Sequence, residues 1–209
     1  MPYRSTDNTR RKKDAKRTAM MQAAVRVFAE KGYHAATVRD IVAEAQVAIG
    51  TFYFYFPDKE TLFVHLFDET ASFLLQAIEQ ALNSRTTFPA QLEAAIQAYV
   101  NVAFYEPAVV QLLLVGGMGS VPSLAERRAE YRDKLIRAWQ RTLVAALEQK
   151  KIEPLNPRRT AEALVGAFDE NIYYLLTSSD GDRQSRQAVQ DMVQFGLRAT
   201  GYLPIVNPP

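Results

Sequence analysis

Apolar residues recur at three- and four-residue spacing along most of this chain. From Asp14 onward, Met20, Met21, Ala24, Val27 and Phe28 fall on one helical face. Gly32, just after Lys31, is the kind of residue that stops a helix. Thr37 then stands as an N-cap with Asp40 three residues later, and Val38, Ile41, Val42 and Ala45 give a short amphipathic helix. After Gln46 and Val47 comes a second short segment, residues 48–56. Two helices of about eight residues joined by a tight turn have helix-turn-helix spacing. Asp58 caps a longer helix that starts near Lys59 and runs to about Ser84.

The rest also reads as helices, over about 89–105, 107–116, 122–150, 157–178 and 183–200. Pro89, Pro107, Pro122 and Pro157 sit at or near first turns, where a missing N–H costs nothing. Gly201 stands where a helix ends. The tail with Pro204, Pro208 and Pro209 is expected to be loose. No stretch alternates as a strand does, so the expected fold is all-α with about nine helices. The chain has 209 residues, 48% hydrophobic and 23% charged, enough for a real core and unlike a disordered or fibrous chain. Its longest apolar run, residues 108–119, is shorter than the ~18 residues a membrane span needs. No signal-peptide pattern is seen, and a cytoplasmic protein with no membrane partner is expected. The absence of cysteine excludes disulfides, thiolate metal sites and a cysteine nucleophile.

Net charge is only +2, but it is unevenly spread. Residues 1–60 hold eleven Lys/Arg against seven Asp/Glu, and the first seventeen residues hold seven against two. A positive end on a slightly acidic body suits a polyanion, and it equally suits a solvated basic arm over residues 1–13.

The segment from Thr37 reads TVRDIVAEAQVAIGTFYFYFPDKETL, preceded by MMQAAVRVFAEKGYHAATV. It resembles the DNA-binding domain of the TetR family of bacterial transcriptional regulators, continuously over about 45 residues. The specific part is GTFYFYFPDKETL. The resemblance implies a DNA-binding domain over 14–74, with its helix-turn-helix at 37–56, and a ligand-binding and dimerisation domain over 75–209. It implies a homodimer on a palindromic DNA operator, most often a repressor, released by a small ligand. No cofactor and no metal are implied.

On that resemblance residues 48–55 form the recognition helix. Ala48, Ile49 and Gly50 offer small or apolar surface to bases; they can touch thymine methyls but cannot read donors and acceptors. Thr51 can bond a phosphate or a base edge. Tyr53 and Tyr55 set the register through phosphates. Lys59 and Thr37 are further phosphate candidates, the latter at a helix N-terminus. Arg39 is the candidate for a guanine, with a surface salt bridge as the plain alternative. Residues 10–13 could enter a minor groove or remain a tail. Two departures stand out: Gln46 and Ala48 occupy positions where the family usually has Gly and Ser or Thr. A slightly altered turn and a recognition helix without its cap are expected, each position costing about 1 kcal/mol.

In the C-terminal part, Tyr99, Phe104, Tyr105, Tyr131, Trp139, Phe168, Tyr173 and Tyr174 lie on expected helices. They form either core or the walls of a pocket for a flat, acyl or otherwise apolar ligand. Arg127, Arg128 and Arg132 form a solvated face or receive an anionic head group. Asp169, Glu170 and Asn171 interrupt an apolar run, and buried acids need partners. An arginine across the dimer or the interface rim ranks ahead of a ligand amine. By resemblance the last two helices form the dimer bundle, with seams Leu164, Phe168, Ile172, Leu175 and Val189, Met192, Val193, Gly196, Leu197.

An enzyme is disfavoured: the two histidines, His34 and His65, are not at ligand spacing, and no phosphate loop or nucleophile motif is found. A DNA-binding protein without a small-molecule ligand, partner-controlled or architectural, is the alternative.

Overall fold

The computed structural model describes residues 7–114 and 122–202, and over them the chain is nine helices with no strand. They are α1 (Asp7–Ala35), α2 (Val38–Glu44), α3 (Ile49–Tyr55), α4 (Lys59–Asn83), α5 (Phe88–Tyr105), α6 (Pro107–Leu114), α7 (Pro122–Glu148), α8 (Pro157–Thr177) and α9 (Gly181–Ala199). The prolines open helices as expected: Pro107, Pro122 and Pro157 are each the first helical residue. The Gly116–Gly119 break and the proline tail beyond Tyr202 lie outside the described residues, as do residues 1–6.

Two boundaries differ from the sequence expectation. The helix α1 starts at Asp7 rather than Asp14, so residues 7–13 of the expected arm are helical. Asp7 favours the positive end of the helix dipole, and the Lys, Arg and Ala that follow are good helix formers. Gly32 does not end α1. It kinks it, at φ 75° and ψ 159°, and the helical hydrogen bonding resumes to Ala35. The expected domain boundary at 74/75 falls inside the unbroken helix α4.

A single core runs the length of the molecule. At the N-terminal end Met20, Phe28, Ile41, Phe52, Phe56 and Phe63 close on one another, with Phe28 and Phe63 edge to face at 5.4 Å. Further along, Leu74 and Ile78 of α4, Leu92 and Ile96 of α5, Leu135 and Trp139 of α7 and Leu164 and Phe168 of α8 continue it. The C-terminal helices are close enough that size matters: a Cβ on Gly196 of α9 would lie 2.8 Å from Cδ2 of Leu92. No helix among the described residues is long and apolar enough to cross a membrane.

The turn between α2 and α3 is not altered. Gln46 takes the left-handed conformation, φ 54°, that glycine would adopt without strain. The Gln46 N–H donates to the Ala43 carbonyl (3.2 Å) and the Val47 N–H to the Val42 carbonyl (3.0 Å). That is the hydrogen-bond pair of a Schellman ending. The two bonds hold the backbone where the side chain would prefer it not to be. Replacing Gln46 by Gly should therefore raise the unfolding free energy by about 1 kcal/mol, measured by urea titration.

Candidate nucleic-acid interface

The N-terminus of α2 is built by a reciprocal cap. The Thr37 hydroxyl accepts from the Asp40 N–H (3.2 Å), while the Thr37 N–H (2.9 Å) and hydroxyl (2.7 Å) donate to Asp40 Oδ2. Lys31 of α1 reaches the other carboxylate oxygen at 2.8 Å. The Lys31 ammonium and the Thr37 donors together draw the Asp40 pKa down to about 2. Thr37 was expected to offer its hydroxyl or N–H to a phosphate. Here both are engaged with Asp40. Arg39, the second residue of α2, is exposed and has no ion pair among the described residues.

The helix α3 begins at Ile49 with Ala48 as its N-cap, and no side chain caps it. This is the missing cap expected from the sequence. Phe52 and Phe56 anchor the helix in the core. Ala48, Ile49, Gly50 and Tyr53 are exposed, while Thr51 and Tyr55 are half-buried. Phe54 was not among the expected contacts, yet it is 68% exposed. The helical repeat contains the signal: with Phe52 and Phe56 inward, the residue between them points outward.

Lys59, the other expected phosphate contact, is turned inward. Its ammonium donates to the carbonyls of Tyr33 (2.7 Å) and Ala36 (2.8 Å) and lies 4.4 Å from the centre of the Tyr33 ring. Burial lowers its pKa. Its ammonium thus closes the end of α1.

The expected pocket residues divide into groups. Tyr99 donates to Asp169 Oδ1 (2.8 Å), and Arg132 of the same chain donates to Asp169 Oδ2 (2.8 Å). The dimer-related role ranked first for Asp169 therefore gives way to a pairing within the subunit. Burial raises the pKa of Asp169 and, more strongly, that of Tyr99. The Tyr131 hydroxyl is enclosed in the same region without a hydrogen-bond partner among the described residues. Trp139 and Phe168 pack as core, ring centres 5.4 Å apart, and Phe104 and Tyr173 are half-buried against it. Arg128 donates to the Leu114 carbonyl, and Arg127 pairs with Asp68 of α4. Each of the three arginines thus serves a different partner. Tyr105 is exposed and does not join the interior group. It lines an open groove of about 610 Å³ with Phe73 and Leu66 of α4 and Met21 and Val25 of α1.

The residues expected at a dimer seam lie largely inside the subunit. Leu164, Phe168, Ile172, Leu175, Val189, Met192 and Gly196 are buried within the subunit, and Val193 and Leu197 are half-buried against the core. Their apolar stripes are already covered by neighbouring helices and leave little surface for a partner. The outward faces of α8 and α9 carry Tyr174, 62% exposed, and Phe195, 47% exposed. Glu170 and Asn171 are exposed beside them.

The architecture is a helix-turn-helix mounted on a helical body. Residues 20–66 match the family of bacterial regulatory proteins, tetR family, and residues 89–196 match the tetracyclin repressor-like C-terminal domain. The chain belongs to the TetR family of transcriptional regulators. It is similar to the fatty acid metabolism regulator protein of Bacillus subtilis strain 168, with 25% identity over 163 residues, covering 78% of this chain and 84% of that protein. It is also similar to the HTH-type transcriptional activator FasR of Mycolicibacterium smegmatis, with 24% identity over 196 residues, 93% of this chain and 87% of that protein. In fold it superposes on the regulator FadR of Bacillus subtilis in complex with stearoyl-CoA, with a TM-score of 0.72, 23% identity, and coverage of 84% of this chain and 97% of that one.

Two outcomes follow from the caps. A carboxylate whose pKa is lowered on folding stabilises the fold above its ordinary value of 3.8 and loses that contribution as pH falls through about 2. Circular dichroism should show part of the acid transition in this window, and Asp40→Asn should remove that part. Lys59→Met keeps the stem and deletes the charge-assisted bonds. It should cost about 2 kcal/mol in urea unfolding at neutral pH.

Proposed function

We propose that this regulator is a repressor that binds a palindromic operator as a homodimer and is released by an acyl-type ligand. The observation that carries the reading is the exposed outward face of α3, held to the core by Phe52 and Phe56, together with an exposed Arg39 on α2. A helix held so, with exposed residues on its outer side, fits a major groove. Tyr53 can reach phosphates from its flank.

Support for a dimer comes from the aromatic surface of α8 and α9 at Tyr174 and Phe195. Two-fold symmetry then requires half-sites about one turn of DNA apart, ~34 Å or somewhat more. Support for an acyl ligand is partly chemical. The Tyr131 hydroxyl is a buried donor that lacks an acceptor among the described residues, and a carbonyl oxygen would supply one. The solved relative from Bacillus subtilis holds stearoyl-CoA.

The helix α4 links the two ends. Its first residue, Lys59, is bonded to the end of α1, and its later turns pack on α5 and α7. A ligand that binds better to one tilt of α4 shifts the separation of the two recognition helices in the dimer. The regulators it resembles carry no enzymatic name, and the reading assigns no catalytic role.

The test is selection of genomic fragments by the purified protein and footprinting at about 0.15 M salt, where non-specific contacts are screened. A pseudo-palindrome protected by a dimer and released by stearoyl-CoA is expected. Protection of a single half-site would overturn the dimer reading. Protection unchanged by acyl-CoAs of short, medium and long chain would overturn the ligand, and activated transcription from the bound promoter would overturn repression.

A further inference from the structure

The outward face of α3 has a distinctive chemistry. At about 100° per residue, buried Phe52 and Phe56 define the inward direction, Phe54 lies opposite them, and Gly50 lies one turn before Phe54 on the same stripe. Tyr53 and Ile49 both lie to one side of this stripe, and both are exposed. The whole helix reads IGTFYFY, with no charge and no amide. Exposed Phe54 and Ile49, about 140° apart around the helix, put apolar surface on two of its sides, the kind of surface that marks an interaction site.

Gly50 adds an independent observation. A Cβ built there meets nothing within 4 Å, and its backbone is not in the left-handed region. Neither packing nor conformation within the subunit calls for glycine, and glycine is a poor helix former. A glycine so placed suits the close approach of another molecule to the helix backbone.

Duplex DNA offers one apolar group on the base edges of its major groove, the thymine C5 methyl; the other features there are donors and acceptors that polar side chains read. We infer that α3 recognises its operator through thymine methyl groups, with Phe54 and Ile49 packing on them and Gly50 letting the base-pair edges come up to the helix. This rests on the operator-binding reading above. The half-site is then rich in A·T pairs under α3, and reading of G·C pairs falls to Arg39 of α2. Tyr53 serves the phosphates at the side, and its hydroxyl takes no part in methyl recognition.

The experiment uses the full-length protein and the operator recovered by selection. Each thymine is replaced in turn by deoxyuridine, which removes one methyl and leaves all hydrogen-bonding groups in place. Affinity should fall about fourfold at each contacted position, the value expected for one buried methyl. Phe54→Ala or Ile49→Ala should abolish the uracil effect at one such position per half-site, and Tyr53→Phe should preserve it. Gly50→Ala should melt at or above the parent temperature yet lose more than tenfold in operator affinity. Recovery of no operator would overturn the operator-binding reading and this inference with it. An operator bound equally well with uracil at every position would overturn methyl recognition alone. A Gly50→Ala protein that binds like the parent would overturn the close approach.

Discussion

One ammonium group ties the DNA-facing end of the molecule to its body. Lys59 is the first residue of α4, and its charge sits on carbonyls at the end of α1. Those carbonyls lack helical partners, and a cation is the complement their negative end favours. The bond closes the three N-terminal helices onto α4. Phe28, Phe63 and the Tyr33 ring then pack around the junction, with Tyr33 and Phe63 at 4.7 Å. On their own α2 and α3, seven residues each, are far below the length at which isolated helices persist. They are held by packing on α1 and by Phe52 and Phe56 in the core they share with Phe63 of α4.

Much of the architecture was legible in the sequence because its signals are local. Asn156 and Pro157 marked the start of α8, Thr37 and Asp40 the start of α2, Asp58 the start of α4 and Gly201 the end of α9. Each is a cap or a first-turn effect decided within four residues. What was not legible shares a different cause. Periodicity finds an apolar stripe but cannot say which neighbour covers it: Leu164, Phe168, Ile172 and Leu175, expected at a subunit seam by resemblance, are buried within the subunit. Lys59 is a phosphate candidate by resemblance, and its carbonyl partners, Tyr33 and Ala36, lie more than twenty residues away in sequence, where no local signal reveals them. Gln46 was expected to disturb a turn, but two backbone hydrogen bonds outweighed the steric preference of one side chain.

In the interior the same competition decides the fate of charge. Asp169 is flanked by a guanidinium and a phenol, yet burial still raises its pKa. Desolvation outweighs both partners there. Asp40 moves the opposite way, drawn down first by the Lys31 ammonium and then by the two Thr37 donors.

The segment from 46 to 50 carries three residues that serve the fold poorly: a left-handed glutamine, a helix without a capping side chain and an unneeded glycine. Together they forgo about 3 kcal/mol that ordinary replacements would restore. This has a consequence for engineering and for evolution. A regulator can be retargeted only if the new base-reading residues do not unfold it, and here the reserve lies beside the residues to be changed. Glycine at 46 and serine at 48 would bank stability in the turn, leaving polar or charged side chains at 49, 50 and 54 free to be varied.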